Sequence, residues 1–592
     1  MINTNTYQKL RQAHQNSYQE ISKTYQLISF IRLVIAMVFI VFIYYFFKTD
    51  NTYFLWAILI AFFSFFIVIK WHDKVAFKRR IFKTLKNINE DELNYLEKKE
   101  ITFKNGVEFL PKSHDYAFDL DFFGENSIFQ NINRTATFKG KNTLANLLMS
   151  LKSKEEIIQN QEAIRELASK ITFRQDVLAL AKITADSEEV YTNLIKWSKT
   201  INPYAKILTI ASFVMPLIFI GLFILSQVED NTIFSKLLFM IFLLNLGIFG
   251  SLFSKIKGEI LNFHKINEII RNYGLIINHI ETENFTAPKL KNLQRQLTFD
   301  NIKASKQIQN LSSLFKQIEG IINPIAAVII NGTILYHLHA YRFLIRWKKA
   351  YATQISLWLD IIGEFEALNS LANLSYNNPA FCFPEINEEY KIDFKELGHP
   401  LIKENGRVNN TVNFNTENFI ILTGSNMAGK STFLRSLGVN MVLAGVGSVV
   451  CAKEATVHPL KVLVSMRLSD SLEENESYFF AEVKRLKEIM NKLDKEVSFV
   501  LLDEILRGTN SDDKRSGTIE VIKKMIAKKA IGAIATHDLE VCKTTEEFPK
   551  ILSNKNFEVE IVKNELVFDY KLREGICKNK SATFLMKKMG VI

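Results

Sequence analysis

Two unbroken apolar stretches stand near the start of the chain. LISFIRLVIAMVFIVFIYYFF runs from Leu27 to Phe47, and YFLWAILIAFFSFFIVI from Tyr53 to Ile69. Each approaches the ~20 residues that cross a hydrocarbon core. The short connection KTDNT predicts a transmembrane hairpin. Lys9, Arg11 and Lys23 precede it, and Lys70, Lys74, Lys78, Arg79 and Arg80 follow it. This bias places both ends in the cytoplasm. Arg32 lies close enough to one end to snorkel toward headgroups. The polar run 1–26 lacks the basic start and immediate apolar core of a secretory signal. A second hairpin spans 207–253: Ile207–Leu225, the acidic loop SQVEDNT, then Ile233–Phe253. Lys199 and Lys206 lie before it, Lys255 and Lys257 after it, so its ends also face the cytoplasm. A third apolar stretch, Ile321–Leu338, is interrupted by Asn323, Pro324, Asn331 and Gly332. We read it as a buried helix rather than a fifth span.

Between the hairpins the periodicity is helical, as in residues 151–170, and it is again at 258–320 and 340–372. After Phe419 the texture changes. Short β-rich runs (418–423, 497–503, 530–536) alternate with helical ones, which predicts an α/β domain with a largely parallel sheet. The fold class is thus multidomain. A helical core carrying two membrane hairpins precedes an α/β P-loop domain. The boundaries are a polar segment 1–26, hairpin 27–69, a linker helix region 70–112, a core 113–380 interrupted by 207–253, and the α/β domain 381–592.

Composition adds two constraints. The net charge of +12 fits nucleic acid or an anionic membrane face, and equally fits Lys-rich solvated helices. Cys382, Cys451, Cys542 and Cys577 are scattered without a CxxC pair, so neither a disulfide framework nor a zinc site is implied.

The chemistry concentrates in the last third. GSNMAGKST, Gly424 to Thr432, fits G-x-x-x-x-G-K-[ST] between an apolar strand and a helix. Gly424, Ser425, Met427, Ala428, Gly429, Lys430, Ser431 and Thr432 are the expected ATP-binding residues. Backbone N–H groups there close around phosphate oxygens at a helix N-terminus. Lys430 would reach the β- and γ-phosphates, and Ser431 would give its hydroxyl to Mg²⁺. A carboxylate on a neighbouring strand is also required. Asp503, ending VSFVLLD, is the expected second Mg²⁺ partner, and Glu504 the group that polarises attacking water. His537 follows AIGAIAT, a strand expected beside that of the P-loop, where it could sense the γ-phosphate.

These motifs resemble the MutS family of mismatch-repair ATPases. TGSNMAGKST carries that family's N-M-x-G-K-S-T run, LLDEILRGTNSDD (501–513) resembles its Walker B loop, ATHD (535–538) its ATH motif, and ESYFFAE (476–482) its signature segment. Ser425 stands where the family usually has Pro, Leu506 where it has Gly, and Asn510 where it has Ser or Thr. HPL (399–401) and VNN (408–410) resemble the segment before the P-loop strand. NINRTATFKGKNTLANLL (131–148) and LWLDIIGEFEALNSLANLSY (357–376) resemble parts of the helical core. The resemblance covers roughly 113–580, apart from the second hairpin. It implies a homodimer in which Ser477 touches the partner's γ-phosphate, and it implies that Asn426 contacts the γ-phosphate or attacking water, a catalytic role shared with Glu504 and His537. The stretch before residue 113 leaves no room for mismatch-reading and connector domains, and 258–320 is short for levers plus a DNA clamp. No tail for a helix-turn-helix module is expected. LSGGQ, the signature of export ATPases, is absent, and no charged residue sits mid-span to line a transport route. The expectation is a multi-pass membrane ATPase, using ATP and Mg²⁺ in a dimer and coupled to DNA handling. Its alternative is an ATP-driven switch or scaffold for membrane or protein partners.

Overall fold

The computed structural model describes residues 2–49, 51–97, 100–111, 113–184, 186–200, 206–229, 232–261, 266–414, 419–467, 478–562 and 565–577. Helix α1 (Ile2–Thr49) and helix α2 (Thr52–Leu96) form the first hairpin, with Asn51 capping α2 through the Tyr53 N–H. The expected boundaries at 26/27 and 69/70 therefore fall inside continuous helices. Arg79 helps hold the polar halves together: its guanidinium donates to Ser22 and Tyr18 and lies over the Tyr25 ring. The second hairpin is α3 (Lys206–Val228) and α4 (Thr232–Leu261). Four helices, Asn3–Thr49, Thr52–Leu96, Ile207–Val228 and Thr232–Glu259, are long and apolar enough to cross a membrane by length and composition.

The third apolar stretch departs from expectation. It forms α5 (Pro324–Ile334), then turns at Leu335 (φ +50°) into α6 (Tyr336–Tyr351). Among the α5 side chains, Ala327, Asn331 and Gly332 are buried, while Ile325, Val328 and Ile329 are exposed. Apolar composition predicted burial. The helix instead packs mainly on the second hairpin, with the flanking turn and α6 beside it, and leaves its other side open.

Residues 113–377 otherwise build a helical core. Helix α7 (Gln354–Asn377) runs through it, and its buried Glu366 accepts from the Ala136 and Thr137 N–H groups just ahead of helix Phe138–Leu148, whose N-cap is Thr137. Helices Ile266–Thr282 and Ala304–Glu319 pack together, joined by a helix (Pro288–Arg295) and a two-stranded ribbon (Thr298–Phe299, Ile302–Lys303).

The α/β region carries a six-stranded sheet. Its strands are β1 (Phe419–Gly424), β2 (Lys461–Ser465), β3 (Ser498–Asp503), β4 (Ile531–Ala535), β5 (Leu552–Val562) and β6 (Glu565–Glu574), in spatial order β6-β5-β1-β4-β3-β2. All neighbours are parallel except β5–β6. Strands β1, β3 and β4 are buried on both faces, which explains their unbroken apolar runs. Strand β4 lies between β1 and β3, so the acidic strand is next-but-one to the P-loop strand, not its neighbour. Helix α8 (Lys430–Gly445) follows β1, and α9 (Ser511–Ala527) follows the turn after β3. A four-stranded sheet (Glu385–Ile386, Ile392–Leu397, Asn410–Phe414, Glu454–Val457) flanks this region. Asp119 fastens the helical core to it by accepting the Met466 and Arg467 N–H groups at 2.8 Å each.

Candidate functional site

Strand β1 ends at Gly424 with φ +150°, and a Cβ there would lie 2.7 Å from the Phe557 carbonyl on β5. Only glycine fits so close a backbone approach. The chain then turns through Ser425, Asn426, Met427 (φ +66°) and Ala428 to Gly429 (φ +107°), where α8 begins. A Cβ on Gly429 would press on the Tyr570 ring at 3.1 Å. The result is a concave turn ending in free helix N–H groups, an anion-binding shape. Lys430 folds back over it, and its Nζ donates to the Gly424 carbonyl at 2.9 Å and the Ser425 carbonyl at 3.1 Å. Burial lowers the Lys430 pKa, against the pull of Glu504 and Asp503.

Two carboxylates face this turn. The Ser431 hydroxyl donates to Asp503 Oδ2 at 2.6 Å, despite the intervening strand. Glu504 N–H donates to the Ala535 carbonyl, and the residue adopts φ +48°. That bend brings its Oε1 to 2.6 Å from His537 Nε2. The His537 hydrogen bond pulls the Glu504 pKa down to about 2, with Arg507 and Lys430 adding to the effect. His537 Nε2 also lies 3.2 Å from Lys430 Nζ. One nitrogen cannot donate to Glu504 and accept from Lys430 at once, so we assign Nε2–H to Glu504. Arg507 braces the turn: its guanidinium donates to the Asp503 and Glu504 carbonyls, and its N–H donates to Glu482.

These groups open on a cleft of about 470 Å³. Ser431 is joined to Asp503 and Glu504 to His537, and Lys430 lies beside His537. Asn426 and Met427 sit exposed at the rim, Thr432 is exposed, and Ala428 is buried. The Ser425 hydroxyl is buried and has no hydrogen-bond partner among the described residues. Ser477 lies outside the described residues. The helix after it starts at Tyr478, and its Phe479 packs against Gly508.

Three cleft residues were not singled out individually from the sequence. His399 belongs to HPL, and burial, with Arg435 beside it, pushes its pKa to about 4. Asn410 belongs to VNN, and its side chain donates to the Tyr570 carbonyl and accepts the Leu572 N–H. Those segments gave a signal for His399 and Asn410. Tyr570 (φ +54°) gave none, since it is on the edge strand and only tertiary pairing brings it over Gly429.

Residues 420–591 match the MutS domain V family. The chain is 32% identical over 209 residues to MutS protein homolog 4 of Homo sapiens, covering 33% of this chain and 22% of that protein. It is 30% identical over 258 residues to the DNA mismatch repair protein MutS of Flavobacterium psychrophilum, covering 42% and 29%. Against the same-named protein of Aquifex pyrophilus it is 34% identical over 241 residues, covering 39% and 27%. The chain thus carries a MutS-family domain V in its last third. It spans about a quarter of the length of these relatives.

The departures from the MutS pattern have local physical accounts. Asn510 caps α9 by accepting the Asp513 N–H at 2.8 Å, a task Ser, Thr and Asn do comparably well. Leu506 holds φ +63°, a left-handed position that suits the family's usual Gly. Its side chain is buried in a cluster with Leu502 and Ile522, which offsets the strain. For Ser425 the structure offers no compensating contact.

Proposed function

We propose that this MutS-family chain is a membrane-anchored ATPase that binds and hydrolyses Mg²⁺-ATP as a homodimer and couples the cycle to DNA handling. One observation carries the ATPase reading: the turn, the Ser431–Asp503 pair and the Glu504–His537 pair converge on one cleft. The residues fit the group. The glycine turn has no room for Cβ atoms, Lys430 is held by carbonyl oxygens that a phosphate would replace, and the buried Ser425 hydroxyl is unpartnered among the described residues. Ser431 and Asp503 would hold Mg²⁺, which supplies charge neutralisation on phosphate oxygens. Glu504 is ionised at neutral pH, so it accepts a hydrogen bond from the attacking water and orients it. His537 fixes the Glu504 carboxylate, and Lys430 places a positive charge over the turn. Tyr570 and His399 bound the cleft.

Membrane anchoring is supported by the four apolar helices, whose surfaces leave Phe30, Met37, Ile40, Phe63, Ile67, Leu217 and Phe239 exposed. Exposed apolar side chains gathered along whole helices mark a membrane or partner contact. Charge bias puts the α/β region on the cytoplasmic side. DNA handling follows from the relatives named for mismatch repair and from the basic charge. The short cap joining helices Ile266–Thr282 and Ala304–Glu319 argues against a full clamp.

Two assays test this reading in purified full-length protein. Wild type hydrolyses Mg²⁺-ATP, Lys430→Ala does not bind it, and Glu504→Gln binds it but turns over about 10²–10⁴-fold more slowly. A Glu504→Gln variant as fast as wild type refutes the assigned role. DNA binding is measured on homoduplex, mismatched, branched and single-stranded DNA, with and without ATP, at two salt concentrations. Absence of binding at low salt by protein that hydrolyses ATP removes the DNA part, leaving a switch acting on membrane or protein partners.

A further inference from the structure

Helix α5 has two unlike faces. Ile325, Val328 and Ile329, spaced i, i+3 and i+4, are 73%, 46% and 56% exposed. Ala327, Asn331 and Gly332 face the second hairpin. Gly332 is there because a Cβ would collide with the Phe242 ring. Phe242 lies ten residues into α4 from its loop end, about 15 Å at 1.5 Å per residue, which is the middle of a ~30 Å hydrocarbon core. The C-terminal end of α5 thus lies level with the midpoint of a candidate span. Its eleven residues are about 16 Å long, half the same core.

The chain then goes back the way it came. Three contacts of α6 descend in order along the second hairpin. His337, at the start of α6, lies with its ring 6.0 Å from that of Phe249, tilted by 37°. His339 Nε2 lies 2.6 Å from the Ser212 carbonyl, six residues or about 9 Å from the Lys206 end of α3. Lys348 pairs with Glu259 at 3.4 Å, at the far end of α4, and lies over Trp197 of the helical core. The far end of α6 therefore lies on the side of the helical core, and α5 is entered from helix Ala304–Glu319 of that core, whose following Gly320 sits beside His337.

The break between α5 and α6 is satisfied from within the protein. Asn331 Oδ1 accepts the His337 N–H at 3.0 Å, its Nδ2 donates to the Ala327 carbonyl and lies 2.7 Å from His337 Nδ1, and Asn245 Nδ2 of α4 donates to the Gly332 carbonyl at 2.9 Å. A surface turn in water needs no such set of buried side chains. A turn at membrane depth does, because lipid supplies no hydrogen-bond partners.

We propose that α5 is a re-entrant half-helix that enters the bilayer from the cytoplasmic face, reaches the midplane beside α4, and presents Ile325, Val328 and Ile329 to lipid acyl chains. This rests on the membrane-anchored reading above. The occupant of the exposed face is lipid because α5 packs on α3 and α4, whose outward side chains (Leu217, Phe239, Leu243) are likewise apolar and exposed. The element is then neither a buried core helix nor a fifth span.

Full-length protein in liposomes, carrying single added cysteines, is labelled with a membrane-impermeant charged maleimide. Ile325→Cys, Val328→Cys and Ile329→Cys are expected to be as protected as Ile40→Cys in the first hairpin. Lys316→Cys and Lys349→Cys are expected to label from the same side as Val107→Cys in the short turn Val107–Phe109 ahead of the helical core. If the three α5 positions label like Val107→Cys while Ile40→Cys stays protected, the half-helix is wrong and the anchored reading survives. If Lys316→Cys and Lys349→Cys label from opposite sides, α5 spans and the proposal falls. If Ile40→Cys also labels freely, the membrane reading fails and takes this one with it.

Discussion

The first hairpin, the core loop and α7 converge on the Glu92 carboxylate. It lies on α2, about 34 Å beyond Ile69 along the helix, and is 3% exposed. Its Oε1 accepts from Arg134 Nε and from Asn373 Nδ2 at 3.1 Å, and its Oε2 from Arg134 Nη2 at 3.2 Å and Asn377 Nδ2 at 3.1 Å. Tyr7 of α1 donates to Asn377 at 2.9 Å, and Arg174 donates to Asn373 at 2.6 Å. Arg134 is buried as well, with the Phe103 ring 3.4 Å from its Cζ. Glu92→Gln keeps the shape but removes the charge and one acceptor oxygen. The Arg134 guanidinium is then buried without a counter-charge, which costs about 3–5 kcal/mol. Replacing both partners, as in Glu92→Met/Arg134→Met, removes both desolvation penalties and recovers most of that loss. The assay is pulse proteolysis over a urea series for wild type, both single variants and the double variant. Each single variant is expected to be much less stable than wild type and the double variant more stable than either. Singles within about 1 kcal/mol of wild type, or a double variant at the sum of the singles, refute the claim that the pair is a closed buried unit.

Three further outcomes are expected. Leu506→Ala keeps the left-handed backbone and loses buried surface, whereas Leu506→Gly loses the surface but sheds about 1–2 kcal/mol of strain; the Gly variant should therefore have the higher unfolding midpoint, and the reverse order would show that the strain is not real. Burial raises the Glu366 pKa to about 7 against the pull of its Thr137 and Ala136 donors. The folded state then binds the extra proton between pH 4.5 and 7, so this group's stabilisation is complete below pH 4.5 and lost as pH rises through 7. Relative to Glu366→Gln, which does not titrate, wild type should lose about 3 kcal/mol across that window, read from urea midpoints at pH 5 and 8. Asp503→Asn should raise the Mg²⁺ concentration needed for half-maximal ATP turnover, and an unchanged Mg²⁺ dependence would remove Asp503 from the metal site.

The sequence by itself determined whatever is encoded locally. Apolar runs near twenty residues set the two hairpins, and the runs at 418–423, 497–503 and 530–536 match β1, β3 and β4 almost residue for residue, because strands buried on both faces need unbroken apolar sequence. Gly424, Gly429 and Lys430 were legible because a phosphate-shaped turn demands those residues in that spacing. Tertiary structure decided the rest. Polar residues 2–26 and 70–96 continue the apolar helices, since Arg79, Tyr18 and Ser22 hold them together across the hairpin, a pairing that no local pattern announces. Composition could not place Ile321–Leu338, because the same apolar residues suit a core or a bilayer, and the choice was made by Phe242 and Asn245, nearly ninety positions away from Gly332. Tyr570 joined the cleft only when β5 and β6 closed the sheet edge. The physical reason is common to all three: a side chain's neighbours along the chain fix its local conformation, while its neighbours in space fix what that conformation faces.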